Sequence, residues 1–183
     1  MKKTVKLIAM MALIGMATGC KSSQSATNTT VKAEQEADKK EATMPQGRLM
    51  EVTYKYQGMY MERVENPRLI RTDNGATLTV KVLGKGDVEL QVSDTLLDAA
   101  RAIIEEERMY AYDGYYSLPP EIAKGMLDGF SWSFTAVFED KQRLFSSGKH
   151  VDPDGDGLHR LNKLLVDEAM ARLKEQGMDG RDY

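Results

Sequence analysis

Residues 77–92 read Thr-Leu-Thr-Val-Lys-Val-Leu-Gly-Lys-Gly-Asp-Val-Glu-Leu-Gln-Val, and this stretch decides the fold class. Leu78, Val80 and Val82 alternate with Thr77, Thr79 and Lys81; Val88, Leu90 and Val92 then alternate with Asp87, Glu89 and Gln91. Period-two alternation marks a strand with one face buried and the other in water. Gly84-Lys85-Gly86 between the two runs supplies the positive φ angles of a tight hairpin turn. Strands joined this closely pair antiparallel, because a parallel return needs a crossover of a dozen residues or more.

Working outward, the same period recurs upstream in Met50, Val52, Tyr54 and Tyr56, and a further strand is expected over Pro67–Asp73, ended by the turn Asp73-Asn74-Gly75. Downstream the period changes. Leu96, Leu97, Ala100, Ile103 and Ile104 share one helical face, with Ser93 or Asp94 as N-cap. A tyrosine-rich irregular stretch follows, with a helical turn expected over 120–126. Trp132, Phe134, Ala136 and Phe138 then alternate again, Arg143–Ser147 completes a second hairpin, and Leu158–Leu173 makes a long amphipathic helix capped by Asp156 and closed by Gly177. Hairpins without regular βαβ units predict an α+β fold: a mostly antiparallel sheet of about five to six strands, covered on one face by two helices.

The chain has 183 residues, of which 42% are hydrophobic and 29% charged. The domain is expected to occupy residues 48–177, with a short tail over 178–183. About 130 residues bury roughly two thirds of their unfolded surface, enough to be stable without a metal or disulfide. The 25 basic and 28 acidic side chains leave a net charge of −3, which gives no reason to expect nucleic acid as a partner.

The N-terminus carries an address. Lys2, Lys3 and Lys6 precede an apolar run over 7–17, and Ala17, Thr18 and Gly19 lead into Cys20, the one cysteine of the chain. This is the pattern of a secretory signal peptide over 1–19. Residues 20–47 are polar, charged and small apart from Val31 and Met44, and read as a tether that buries no core. Cys20 after Gly19 resembles the lipobox of bacterial lipoproteins, although Ala17 stands where that motif favours Leu. The resemblance implies a diacylglyceryl group on the Cys20 thiol, palmitate included, and an N-terminus anchored in the membrane by lipid. Lys21, where a sorting signal for the inner membrane would place Asp, implies the outer membrane. Loss of residues 1–19 removes three lysines and leaves a charge of −6.

Tyr116-Ser117-Leu118-Pro119-Pro120, Leu127–Phe134 and Ser146-Ser147-Gly148-Lys149-His150 together resemble small lipoproteins of Bacteroides-like gut bacteria. In that pattern a Trp-bearing strand and an "SSG" strand form a hairpin before a final helix. The resemblance implies a fold and a habitat, and no activity.

Three groups of side chains are candidates for chemistry. Asp152-Pro153-Asp154-Gly155-Asp156-Gly157 matches the first half of an EF-hand calcium loop, so Asp152, Asp154, Asp156 and the Leu158 carbonyl are candidate calcium ligands. Lys163 stands where the bidentate Glu should be, and a plain turn before a helix uses the same residues. His150 and His159 extend this set to a transition-metal variant. Tyr110, Tyr112, Tyr115 and Tyr116 around Asp113-Gly114 offer rigid contact area with hydroxyl handles, suited to an envelope protein or glycan, or else cover one end of the core. Ser146 or Ser147 with His150 is the residue set for a hydrolase, yet G-x-S-x-G, H-E-x-x-H and a phosphate-cradling glycine loop are all missing. The sequence therefore favours a non-catalytic binding or structural module without an obligatory cofactor.

Overall fold

A computed structural model describes residues 42–58, 62–112, 114–124 and 129–178. Within them the chain runs β1 (Leu49–Gln57), β2 (Val64–Thr72), β3 (Gly75–Val82), β4 (Gly86–Val92), α1 (Thr95–Glu106), a 3-10 turn (Met109–Ala111), β5 (Gly114–Ser117), α2 (Pro120–Ala123), β6 (Ser131–Phe138), β7 (Arg143–Lys149) and α3 (Gly157–Glu175). The fold is α+β. Its seven strands form one mixed sheet in the order β4-β3-β2-β1-β6-β7-β5. Neighbours pair antiparallel except β5 and β7, which are parallel.

The first four strands form a meander whose tight turns use left-handed backbone: φ is +130° at Gly75, +77° at Gly84 and +82° at Gly86. β6 then joins the free edge of β1, pairing Trp132 with Tyr56 and Phe134 with Tyr54. These registers align one row of apolar side chains across six strands: Leu144, Ala136, Val52, Leu69, Leu78 and Leu90. All but Leu144 are fully buried. Leu97, Ala100 and Ile104 of α1 and Leu161, Leu165, Ala169 and Leu173 of α3 belong to the same buried cluster. Burying each such side chain stabilises the fold by about 1.5–3 kcal/mol, so the row and the two helical stripes carry most of the hydrophobic stabilisation.

One irregularity shapes one end of the sheet. β2 contains Pro67, which cannot donate to a ladder and so belongs at a bulge when the strand has neighbours on both sides. The β2–β3 register shifts between Glu65 and Arg68, and Asn66 takes φ +55°. The Asn66 side chain compensates locally, its Oδ1 accepting the Tyr56 N–H at 3.0 Å.

Three expectations from sequence are corrected. The sheet has seven strands among the described residues where five or six were expected, because Gly114–Ser117 forms β5 on the edge beside β7. Asp94 stands at the N-cap of α1 without capping it. Its carboxylate instead accepts from Arg71 Nη1 at 2.8 Å, while Ser93 Oγ accepts the Thr95 N–H at 3.2 Å. Asp156 likewise stands at the N-cap of α3 with no side-chain cap bond. Upstream of β1, Pro45 is buried and Met44 lies against the core.

The C-terminal stop is as read. Gly177 takes φ +73°, its N–H bonds to the Lys174 carbonyl at 3.0 Å, and the Met178 N–H bonds to the Leu173 carbonyl at 2.8 Å. This pair of bonds is the Schellman motif. The signal peptide, Cys20, the tether up to residue 41 and the tail beyond residue 178 lie outside the described residues, as do Asp113 and the end of the helical turn at 125–128.

Candidate functional site

The bulge in β2 and the loop before α3 enclose a cleft of about 330 Å³ at one end of the sheet. Tyr54 and Tyr56 reach it from β1, Glu65 and Asn66 from the bulge, and Glu62 from just before β2. Asp152, Pro153, Gly155 and Asp156 approach from the opposite side, followed by Leu158, His159 and Asn162 of α3. Each wall has a local cause. Alternation along β1 turns Tyr54 and Tyr56 to the same side as Val52, and Tyr56 stacks on Phe130 with ring centroids 5.8 Å apart. The loop passes Gly155 at φ +100° and enters α3 at Gly157, where a Cβ would stand 2.8 Å from both Met109 Cγ and the Tyr112 hydroxyl. A side chain in that place would force the Met109 and Tyr112 side chains to move, so glycine lets α3 start this close to the end of α1.

The chemistry of the cleft is acidic and aromatic. Glu62, Glu65, Asp152 and Asp156 line it, and His159 is the one basic side chain among the lining residues. Burial pushes the Asp152 carboxyl above the ordinary range, the direction desolvation gives any carboxylate. The Tyr54 hydroxyl is also raised, first by burial and then by the negative charges of Asp152, Tyr56 and Glu62, all of them cleft residues. Tyr54 is 7% exposed, and none of the hydrogen bonds among the described residues uses its hydroxyl.

A second, shallower cavity of about 660 Å³ adjoins the first and shares Tyr56, Glu65 and Asn66 with it. Its remaining walls include Lys55, Lys81, Ser131, Trp132 and Ser133, so the sign of the charge changes across the shared ridge.

The residues singled out in the sequence are distributed as follows. Asp152, Asp156 and Leu158 line the cleft and Asp154 does not. Among the described residues no three His, Asp or Glu side chains are grouped to hold one metal ion. His159 lines the cleft while His150, at φ +62°, lies against Gly129. The four tyrosines do not share one surface. Tyr115 and Tyr116 are consecutive in β5 and so point to opposite faces: Tyr115 is 64% exposed, and Tyr116 lies against Trp132 at 5.8 Å between centroids. Tyr112 is half-buried, its enclosed hydroxyl pushed up by burial and by the Glu107 charge, and Tyr110 is half-buried beside it. Ser146 is fully buried, out of reach of any substrate, and its hydroxyl has no hydrogen-bonding partner among the described residues.

Tyr54, Tyr56, Glu62, Glu65, Asn66 and Asn162 are cleft residues that sequence reasoning did not single out. The available signal was Asn66-Pro67, a turn dipeptide inside a run that otherwise reads as a strand. No protein-family model matches the chain, and no curated protein matches it as a relative. The site is therefore read from its own chemistry. Carboxylates, carboxamides and tyrosine hydroxyls around an apolar floor are groups able to hold and orient a polar ligand.

Proposed function

We propose that the chain is a lipid-anchored lipoprotein of the cell envelope, held in the outer membrane through Cys20, whose domain is a non-catalytic binding module. Its binding site is the cleft between β1, the β2 bulge and the start of α3. The observation that carries this reading is a concave site at one end of the sheet, walled by carboxylates and by the mostly buried Tyr54, whose hydroxyl the described hydrogen bonds leave unused. A ligand that closes over such groups pairs with them as it removes them from water. We infer that α1 and α3, which share the buried cluster with the sheet, cover its apolar face, and that the face bearing the half-buried Thr77, Thr79, Ser133 and Thr135 is the open one. The partner is an envelope protein or glycan.

A photo-reactive amino acid placed at Tyr56, compared with one at Glu89 on the far side of the sheet, tests the site in intact cells. Crosslinks from position 56 alone support it, and equal crosslinking from both positions overturns it. Fatty-acid labelling tests the anchor: label is expected on the natural chain and lost in Cys20→Ala.

A further inference from the structure

We propose that the cleft binds an alkylammonium group, its charge held between Glu62 and Asp152 and its carbon chain against the Tyr54 ring, Val64 and Leu158. The inference rests on the cleft being a binding site and names the class of ligand it takes.

The first argument is the gathering of four carboxylates without ion pairs around one concavity. Several acidic side chains elsewhere are matched by arginine or lysine, among them Glu51 with Arg68, Asp94 and Asp98 with Arg71, Glu139 with Arg48, Glu168 with Arg172 and Asp167 with Lys163. Among the described residues Glu62, Glu65, Asp152 and Asp156 have no such ion pair, although they stand together around one concavity. The nearest cation in sequence, Arg63, points elsewhere and donates from Nη2 to the Met178 carbonyl at 2.8 Å. Like charges gathered around one concavity repel one another, and a cation bound between them relieves the repulsion.

The second argument is independent of the first. The Tyr54 hydroxyl belongs to a side chain that is more than nine-tenths buried, it forms part of the cleft wall, and no hydrogen bond described within the fold uses it. An ammonium group has three donors and satisfies a hydroxyl oxygen and two carboxylates together. The third argument separates an organic cation from a metal ion. A volume of about 330 Å³ exceeds what a single ion needs, part of the wall is apolar, and among the described residues no three carboxylate or imidazole groups converge. Tyrosine rings beside the charge add the cation–π attraction that a metal in an oxygen cage does not use.

The test titrates the intact chain in detergent with two amines, 1,5-diaminopentane for a free polyamine and Nα-acetyl-lysine amide for a lysine side chain. Pentane-1,5-diol is the uncharged control. Saturable binding of at least one amine, at least tenfold tighter than the diol, is expected. Glu62→Gln combined with Asp152→Asn should weaken it tenfold or more, and Tyr54→Phe severalfold, while Asp167→Asn on the exposed side of α3 leaves it unchanged. Circular dichroism and melting of each variant exclude misfolding as the cause. Equal binding of diol and amine, equal weakening by Asp167→Asn, or no saturable binding of either amine overturns the inference. So does calcium binding that is abolished by Asp154→Asn and displaces the amine. If crosslinks from position 56 persist while the amines fail to bind, the binding site stands and only its ligand class falls.

Discussion

Gly148 shows how one missing side chain fixes a region. A Cβ there would stand 2.5 Å from the Trp132 indole nitrogen and 2.7 Å from the Val151 carbonyl oxygen, and these two are bonded to each other at 2.7 Å. Neither neighbour is free to withdraw, so Gly148→Ala is expected to destabilise the protein by about 1–3 kcal/mol, measured as a lower urea midpoint at unchanged m-value. Ser146, two residues earlier, has the opposite expectation. Its buried hydroxyl lacks a partner, so Ser146→Ala should be neutral or stabilising by up to about 1 kcal/mol in the same assay. Asp152 gives a pH prediction. Because burial raises its pKa, the folded state holds this proton more tightly than the unfolded chain does. Its favourable contribution is present below the ordinary carboxylate pKa and is lost as the pH rises through the raised value. Asp152→Asn should therefore melt above the natural protein at pH 7, with the gap narrowing at pH 4.

At the scale of elements, Arg71 ties α1 to the sheet. Its side chain, 9% exposed, reaches Asp94 at 2.8 Å, Asp98 at 3.0 Å and the Leu49 carbonyl at 3.2 Å. Removing it strands a carbonyl and two carboxylates, but both carboxylates are more than half exposed, so water screens much of the loss. Arg71→Ala is expected to cost about 1–3 kcal/mol and Asp98→Asn under about 1 kcal/mol, read by thermal denaturation. This contact also explains what the sequence hides. β1, β3, β4 and β6 are legible because alternation is a local property, and α1 and α3 because a helical stripe is too. The cap at Asp94 was misread because its carboxylate answers to Arg71 on another strand. β5 was missed because Gly-Tyr-Tyr-Ser has no alternation to display and its partner lies about thirty residues later in the chain. The cleft was half legible. Asp152 and Asp156 stand out in the sequence as candidate calcium ligands, whereas Tyr54 shows only as one position of an alternating strand and Glu62 carries no pattern, because the cleft joins segments about ninety residues apart in the chain.

For the whole molecule, α1, α3 and five of the seven strands contribute to one buried cluster, with Leu144 of β7 and Tyr116 of β5 packed against it, and Trp132 sits inside it. With no second core among the described residues, unfolding should be a single cooperative event. Tryptophan fluorescence and far-UV circular dichroism are expected to give the same urea midpoint, and two separated transitions would contradict a shared core. The strand order has a further consequence, and it concerns time. β1 is made first yet ends in the middle of the sheet, with β2 available almost at once on one side and β6, which starts at Ser131, on the other only after most of the domain has emerged. Until then the growing chain is a four-stranded meander with a bare, sticky margin along Leu49–Gln57, the kind of margin that recruits other strands. A chain cut short before residue 131 should for that reason be found in aggregates, and the last third of the gene is what keeps the first third soluble.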